Sequence, residues 1–172
     1  VRGFTAMSEQ LGAEGVVRVM NDIFQIIEEE VIVAQGEILK FIGDALLIIF
    51  PRSGCSDLDL STRMIDAALS AVKRVEAHGV ELTLPLSVGF GCHMGEVLYG
   101  NIGTQSRLDF TVMGPAVNLT SRLESMCKSL GAQLTVSPVV AEGHEDRLQS
   151  FGQHSVKGIE QPVDIWGVPV NG

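Results

Sequence analysis

Three observations place the sequence in the mixed α/β (α+β) class, as a sandwich of helices over a mostly antiparallel sheet. Helical and strand-like periodicities alternate in mixed order along 172 residues. Tight turns join several strand pairs, as they do antiparallel neighbours. No fixed-period repeat and no Pro/Gly/Ser linker interrupts the chain, so residues 1–172 are expected to form a single domain. A chain of this length can bury about 70% of its unfolded surface in one core.

Thr5 to Leu11 reads as a short helix after Gly3. Val16, Met20, Ile23, Phe24, Ile27 and Val31 recur at three and four residue steps, which predicts a second helix over Ala13 to Ala34, ended by Gly36. Glu37 to Phe50, broken by Gly43-Asp44, predicts two strands with an acid at the tip of their turn. Leu60, Met64, Ala68, Ala71 and Val75 predict a helix over Asp57 to Ala77, and Leu84 to Gly91 reads as a buried strand. Gly95, Gly100 and Gly103 punctuate a second strand pair. In Arg107 to Met113 the alternation puts Leu108, Phe110 and Val112 towards a core and Arg107, Asp109 and Thr111 towards a polar space. Gly114-Pro115 opens a helix whose buried stripe is Leu119, Leu123, Met126 and Leu130, and Gly131 stops it. Strands near Gln133 to Val136, Leu148 to Val156 and Val163 to Val168 complete the chain.

Composition narrows the function. With 45% hydrophobic and 19% charged residues the chain is too apolar for disorder. Its longest apolar stretches, such as Ala45 to Phe50, are far shorter than a membrane span, so a soluble domain is expected. A formal charge of -9 argues against generic nucleic-acid binding; a polyphosphate ligand would have to be met by a few placed cations. Cys55, Cys92 and Cys127 are odd in number and contain no CxxC pair, which suits a reducing cytoplasmic setting better than a disulfide framework or a zinc site. GxGxxG, GxxxxGK[ST] and GxSxG are all absent, which removes the usual dinucleotide, P-loop and α/β-hydrolase readings.

Lys40 stands inside the apolar run Ile38-Leu39-Lys40-Phe41-Ile42, where a charge needs a partner or an exit to water. With Asp44 it is either a snorkelling edge lysine beside a turn-forming acid, or a recognition lysine beside a metal-binding carboxylate. Asn118 and Arg122 lie four residues apart on one helix face and could grip one ligand together; singly they are ordinary surface residues. Lys157, in Val156-Lys157-Gly158, is at a turn where an exposed lysine is usual. Backbone N–H groups at the helix start after Gly3 could bind phosphate. His93 reads as a hydrogen-bonded core histidine, while His78, His144 and His154 lie among polar residues without ligand spacing.

Taken in order, Arg2-Gly3-Phe4-Thr5, Lys40-Phe41-Ile42-Gly43-Asp44-Ala45, Gly114-Pro115-Ala116-Val117-Asn118-Leu119-Thr120-Ser121-Arg122-Leu123-Glu124 and Val156-Lys157-Gly158 resemble the catalytic domain of the class III nucleotidyl cyclases. The resemblance implies a ferredoxin-like cyclase homology domain. It implies an adenylyl cyclase that converts ATP to 3′,5′-cyclic AMP and pyrophosphate at the interface of a homodimer, or of a heterodimer with another cyclase homologue. Two divalent ions, Mg²⁺ or Mn²⁺, are implied as cofactors. Asp44 and the Val1 backbone carbonyl match metal ligands; a second metal aspartate is expected immediately before Val1, where the sequence given has none. Asn118 and Arg122 match the catalytic pair. Lys40 and Thr111 match the purine-selecting pair, Lys157 and the N–H groups of Gly3, Phe4 and Thr5 match phosphate binders, and Arg107 assists. Lys40 as donor and Thr111 as acceptor suit adenine, whereas guanine-specific relatives carry an acid at the position of Lys40. Threonine at position 111 resembles a subgroup with bicarbonate-responsive members. A guanylyl cyclase and a catalytically silent nucleotide-binding or dimerising module are the alternatives. A regulatory domain in the same longer chain is expected, and the full-length protein could be attached to a membrane.

Overall fold

The computed structural model describes residues 1–104 and 107–170, without the side chains of residues 4–6 and 107. They form two compact units, Val1–Gly89 and Phe90–Gly172.

The first unit holds helix α1 (Phe4–Val33), strands β1 (Glu37–Ile42) and β2 (Ala45–Ile49), and helix α2 (Asp57–Leu82). The two helical segments expected before Gly36 are one element interrupted at Gly12, whose φ of 66° and ψ of 175° no helix contains. Val16, Met20, Ile23, Ile27 and Val31 are buried along the inner stripe of α1. The ring of Phe24 meets Phe41 of β1 edge-on, with centroids 5.2 Å apart. Ser56 caps α2 by accepting from the Asp59 backbone N–H at 3.1 Å. The apolar stripe of α2 is buried as expected, with Ile65 and Val72 added. Arg74 of α2 reaches both Glu29 and Glu30 of α1, and these hydrogen bonds hold the two carboxyls below their ordinary pKa.

Helix α2 continues five residues beyond the expected Ala77 and ends where Thr83 turns to φ 57°. The buried strand expected over Leu84 to Gly91 is mostly not a ladder strand. Leu86 and Val88 are buried, but Ser87 makes only an isolated bridge, accepting the Arg2 N–H at 2.9 Å. Burial requires an apolar run; a ladder requires a neighbouring strand, and regular pairing begins only at Phe90.

The second unit holds β3 (Phe90–Cys92), β4 (Leu98–Thr104), β5 (Arg107–Met113), α3 (Pro115–Ser129), β6 (Ala132–Val136), α4 (Pro138–Ala141), β7 (Gln149–His154) and β8 (Val163–Pro169). A four-stranded sheet has the order β3-β6-β8-β7. Only the β3–β6 pair in it is parallel. Its core is dense: Ala132, Leu134, Val136 and Ile165 have no exposed surface. Helix α3 lies against β3 and β6. Its stripe is narrower than expected, with Leu123 and the unanticipated Cys127 buried and Leu119, Met126 and Leu130 half-buried. The short α4 carries no apolar periodicity long enough to read.

Two expectations need correction in this unit. Among the described residues strands β4 and β5 pair only with each other, and Leu108 and Phe110, expected to face a core, are 62% and 48% exposed while Val112 is buried. The alternation places the three on one face, but within the unit nothing covers most of that face. His144, expected among polar residues, is buried at the turn after α4, where its N–H donates to the Ala141 carbonyl at 2.9 Å.

Candidate active site

In the first unit the β1–β2 hairpin sets the metal candidate. Ile42 pairs with Ala45, so Gly43 and Asp44 form a two-residue loop. Gly43 takes φ +62°, which a primed hairpin turn requires and a side chain would resist. Asp44 is thereby held at the tip with 43% of its side chain exposed. The chain's opening residue meets it there: the Val1 nitrogen donates to the Asp44 carbonyl at 3.0 Å and lies 3.8 Å from Oδ2. Two of the expected metal ligands are thus neighbours. A carboxylate and a backbone carbonyl form a hard oxygen donor set, which fits Mg²⁺ or Mn²⁺ better than a thiophilic metal. They would supply two of about six ligands, and among the described residues no group of three or more His, Cys, Asp and Glu side chains could hold an ion unaided.

Lys40 sits four residues before Asp44 on β1. Between Ile38 and Lys40 the register slips, so that Leu39 is an extra residue against β2. Such a bulge re-aims the side chains that follow it, and no periodicity in the sequence signals it. Lys40 is half-buried. Gly3, at φ 70°, caps α1 and accepts the Met7 N–H at 3.0 Å. It is exposed, and no acid occupies the first turn to compete with a phosphate. Phe4 and Thr5 open the helix; their side chains lie outside the described residues, as does that of Arg107 at the start of β5.

In the second unit, Thr111 lies directly across from Gly100 in the β4–β5 pair. The partner strand therefore sets no side chain beside its hydroxyl. Gly114 starts α3 at φ 147° and accepts the backbone N–H groups of Val117 and Asn118 at 3.2 and 3.4 Å. Asn118 and Arg122, one helical turn apart, are exposed. Among the described residues no hydrogen bond or ion pair commits either head group. The backbone of α3 comes very close to β3: a Cβ on Gly91 would lie 2.3 Å from the Glu124 nitrogen and 2.7 Å from the Thr120 oxygen. Buried Thr135 donates to the Leu123 carbonyl at 2.7 Å and Cys127 to that of Phe90 at 3.2 Å, so the helix is fastened as well as packed. Lys157 follows buried Val156 in a turn closed by the Ile159 N–H on the Val156 carbonyl at 3.0 Å, with Gly158 at φ +84°. Its ammonium is exposed.

Cys92, His93, His78 and His154 are engaged within the fold. Burial, with Cys127 beside it, pushes the Cys92 thiol up to about 12, so it is no nucleophile at neutral pH. Burial also holds the His93 imidazole below its ordinary value. His93 Nδ1 is 2.7 Å from Ser137 Oγ, as its reading as a hydrogen-bonded core residue expects. His78 lies 3.3 Å from Asp22 and 3.5 Å from Glu81, and His154 Nε2 is 2.9 Å from the Phe151 carbonyl. None of the 18-residue windows in the described helices is apolar enough to cross a membrane.

Comparison with known proteins adds what geometry alone does not. Residues 1–168 match the family model described as the adenylate and guanylate cyclase catalytic domain. A relative from Anabaena cylindrica named adenylate cyclase is 35% identical over 97% of this chain and 33% of its own length. The chain thus spans about a third of that protein, and about a quarter of adenylate cyclase 1 of Rhizobium meliloti, to which it is 30% identical. Among solved structures, the adenylyl cyclase CyaB from P. aeruginosa superposes with a TM-score of 0.81 at 25% identity, over 99% of this chain and 90% of that one. The guanylyl cyclase Cya2 superposes at 0.78 with 34% identity, over 98% and 87%. These likenesses bear out the mixed α+β class with its antiparallel pairs and covering helices. The chain belongs to the family of adenylate and guanylate cyclase catalytic domains.

Proposed function

We propose that the protein is an adenylyl cyclase that forms 3′,5′-cyclic AMP and pyrophosphate from ATP, with its sites completed in a homodimer. The observation that carries this reading is the uncommitted pair of Asn118 and Arg122 on a helix fastened to its sheet, in a chain of the cyclase family. An arginine without a carboxylate partner on an acidic protein is suited to an anionic ligand.

The reaction brings the ribose 3′-oxygen in line with the α-phosphorus while the 3′-hydroxyl loses its proton and pyrophosphate departs. Divalent ions, when bound, acidify that hydroxyl and draw charge from the phosphates. Asp44 and the Val1 carbonyl would hold them. Arg122 donates to the α-phosphate oxygens, where negative charge builds in the transition state; a fixed donor there is typically worth about 3 kcal/mol. Asn118 orients the ribose. Lys157 and the N–H groups of Gly3, Phe4 and Thr5 hold the β- and γ-phosphates, with Arg107 assisting.

Purine choice rests on polarity. Lys40 Nζ donates to adenine N1 and the Thr111 hydroxyl oxygen accepts from the N6 amino group. Gly100 across from Thr111 leaves room for the ring edge. Guanine would present N1–H to the Lys40 ammonium, donor against donor. A guanylyl cyclase is the second reading, favoured by the 34% identity to Cya2. In the dimer Asp44 serves one site and Lys40, Thr111, Asn118, Arg122 and Lys157 the other, so a monomer is inactive and two equivalent sites form.

The test is turnover of ATP and of GTP by the full-length protein, in separate reactions with Mg²⁺ or Mn²⁺, with the product identified by mass. Cyclic AMP from ATP is expected, at a rate that rises with protein concentration through the dimerisation range. Asp44→Ala should reduce it to background while the melting temperature stays within a few degrees. Cyclic GMP as the main product would establish the second reading, and no cyclic nucleotide at any concentration would establish a silent binding module.

A further inference from the structure

His93 has no part in the site proposed above, yet it lies between two features that control α3. On one side its Nδ1 is 2.7 Å from the hydroxyl of Ser137, which is buried at the end of β6 and whose N–H donates to the Cys92 carbonyl at 3.1 Å. On the other side is Gly95. A Cβ built there would lie 3.1 Å from His93 Nε2 and 2.8 Å from the Cβ of Ala116. The imidazole edge and the first turn of α3 therefore close together on the one face of Gly95 where a side chain would stand. Ala116 is two residues before Asn118, and its carbonyl accepts the Thr120 hydroxyl at 2.9 Å. The next loop residue touches the helix start again: a Cβ on Gly114 would meet the Glu96 carbonyl at 3.3 Å.

We propose that His93 is a positioning residue: pinned by Ser137, its ring edge packs at Gly95 beside Ala116 and so steadies the opening turn of α3 that presents Asn118 and Arg122. This rests on the reading of those two side chains as the catalytic pair. The rest of α3 is already seated through Gly91, Thr135 and Cys127, all of which act on its middle and far end. The contact among His93, Gly95 and Ala116 acts on the near end. Loss of the ring would let the first turn relax into the vacated space, which displaces Asn118 more than Arg122. A shift of this kind, on the order of 1 Å, can cost up to about a hundredfold in rate. It acts in the transition state rather than on ground-state binding, because the phosphates and the base are held by other residues.

The experiment compares full-length wild type, His93→Ala and His93→Asn in ATP turnover, together with melting temperatures. Asparagine returns a polar atom at the place of Nδ1 and a second heavy atom near that of Cδ2, so it restores the bond to Ser137 and part of the contact at Gly95, but not that of Nε2. The expected result is a roughly tenfold or greater loss of kcat in His93→Ala with KM for ATP within about twofold, and recovery of part of it in His93→Asn at an unchanged melting temperature. Gly95→Ala, which keeps the hydrogen bond but inserts a methyl group against Ala116, should lower kcat in the same way. A wild-type kcat in His93→Ala overturns the proposal and leaves the cyclase reading standing. So does a loss that follows the melting temperature and is not restored by asparagine. Absence of turnover in the wild type overturns both. Should His93→Ala fail to fold, Ser137→Ala carries the same comparison with the same outcomes.

Discussion

Strands β5 and β6 have similar apolar content and opposite surroundings. In β6, four of the five residues, Ala132, Leu134, Thr135 and Val136, are buried, and Leu134 stands between β3 and β8. In β5, Leu108, Phe110 and Met113 are exposed, and among the described residues its only ladder partner is β4, whose Leu98 and Tyr99 are exposed as well. Tyr99 and Phe110 cover each other edge-on at 4.6 Å, and little else shields them within the unit. The difference teaches that an apolar strand pattern states which residues share a face and leaves open what the face meets. In β6 it meets α3 and the rest of the sheet. In β5 it stays largely exposed within the unit.

Four changes would break or sharpen that contrast. The largest effect is expected from Gly167→Ala in β8, because an added Cβ would lie 1.9 Å from the Leu134 carbonyl oxygen, a backbone atom that cannot step aside. Loss of soluble, cooperatively melting protein is expected, and a normal melting curve would show that β6 and β8 are spaced more loosely than described. Leu134→Ala should cost about 2–5 kcal/mol in denaturant unfolding through the transfer and cavity terms. A cost under about 1 kcal/mol would mean that the core there collapses freely.

A smaller loss should come from acid at the same end of the sheet. Burial lowers the pKa of His93, so on acidification the unfolded chain takes up its proton before the folded one does. The contribution of this ring is unchanged above its ordinary value of 6.5 and declines as pH falls below it towards the depressed folded value. Thermal melts from pH 8 to 5 should therefore show a destabilisation in the wild type that shrinks in His93→Asn. Equal pH dependence in the two proteins would remove His93 as its source. The smallest stability effect belongs to the hairpin: at protein concentrations where the chain is monomeric, Leu108→Ser should change unfolding free energy by no more than about 0.5 kcal/mol. A change of 2 kcal/mol or more would show that β5 is covered within one chain after all.

Much of this architecture is legible in the residues. Gly43-Asp44 between two apolar runs marks a two-residue hairpin loop, and Gly114-Pro115 marks the start of α3, because both depend on local backbone preferences that particular residues satisfy. The bulge at Leu39, the truncation of the strand before Phe90 and the exposure of β5 were not legible, since each is decided by a neighbour distant in sequence. The site divides in the same way. Asp44, Asn118, Arg122 and Lys157 are individually commonplace, and only their order along the chain points to a cyclase. The closeness of Val1 to Asp44, the bare partner strand opposite Thr111 and the contact of His93 at Gly95 are set by the fold and leave no mark in the sequence. Gly91 and Gly95 were visible as glycines, but their role as contact points against α3 was not, because an absent side chain leaves no pattern.

The break at Gly12 bears on electrostatics at the start of α1. Peptide dipoles add only while they stay aligned, and with φ/ψ of 66° and 175° one unit turns out of line. What lies behind the helix start at Gly3 is therefore the eight residues Phe4 to Leu11, about two turns, rather than the full thirty-residue element. The field reaching an anion there comes chiefly from the first few N–H groups at contact distance. It should be short-ranged and set by local geometry, so that lengthening or straightening α1 beyond Gly12 would add little to it.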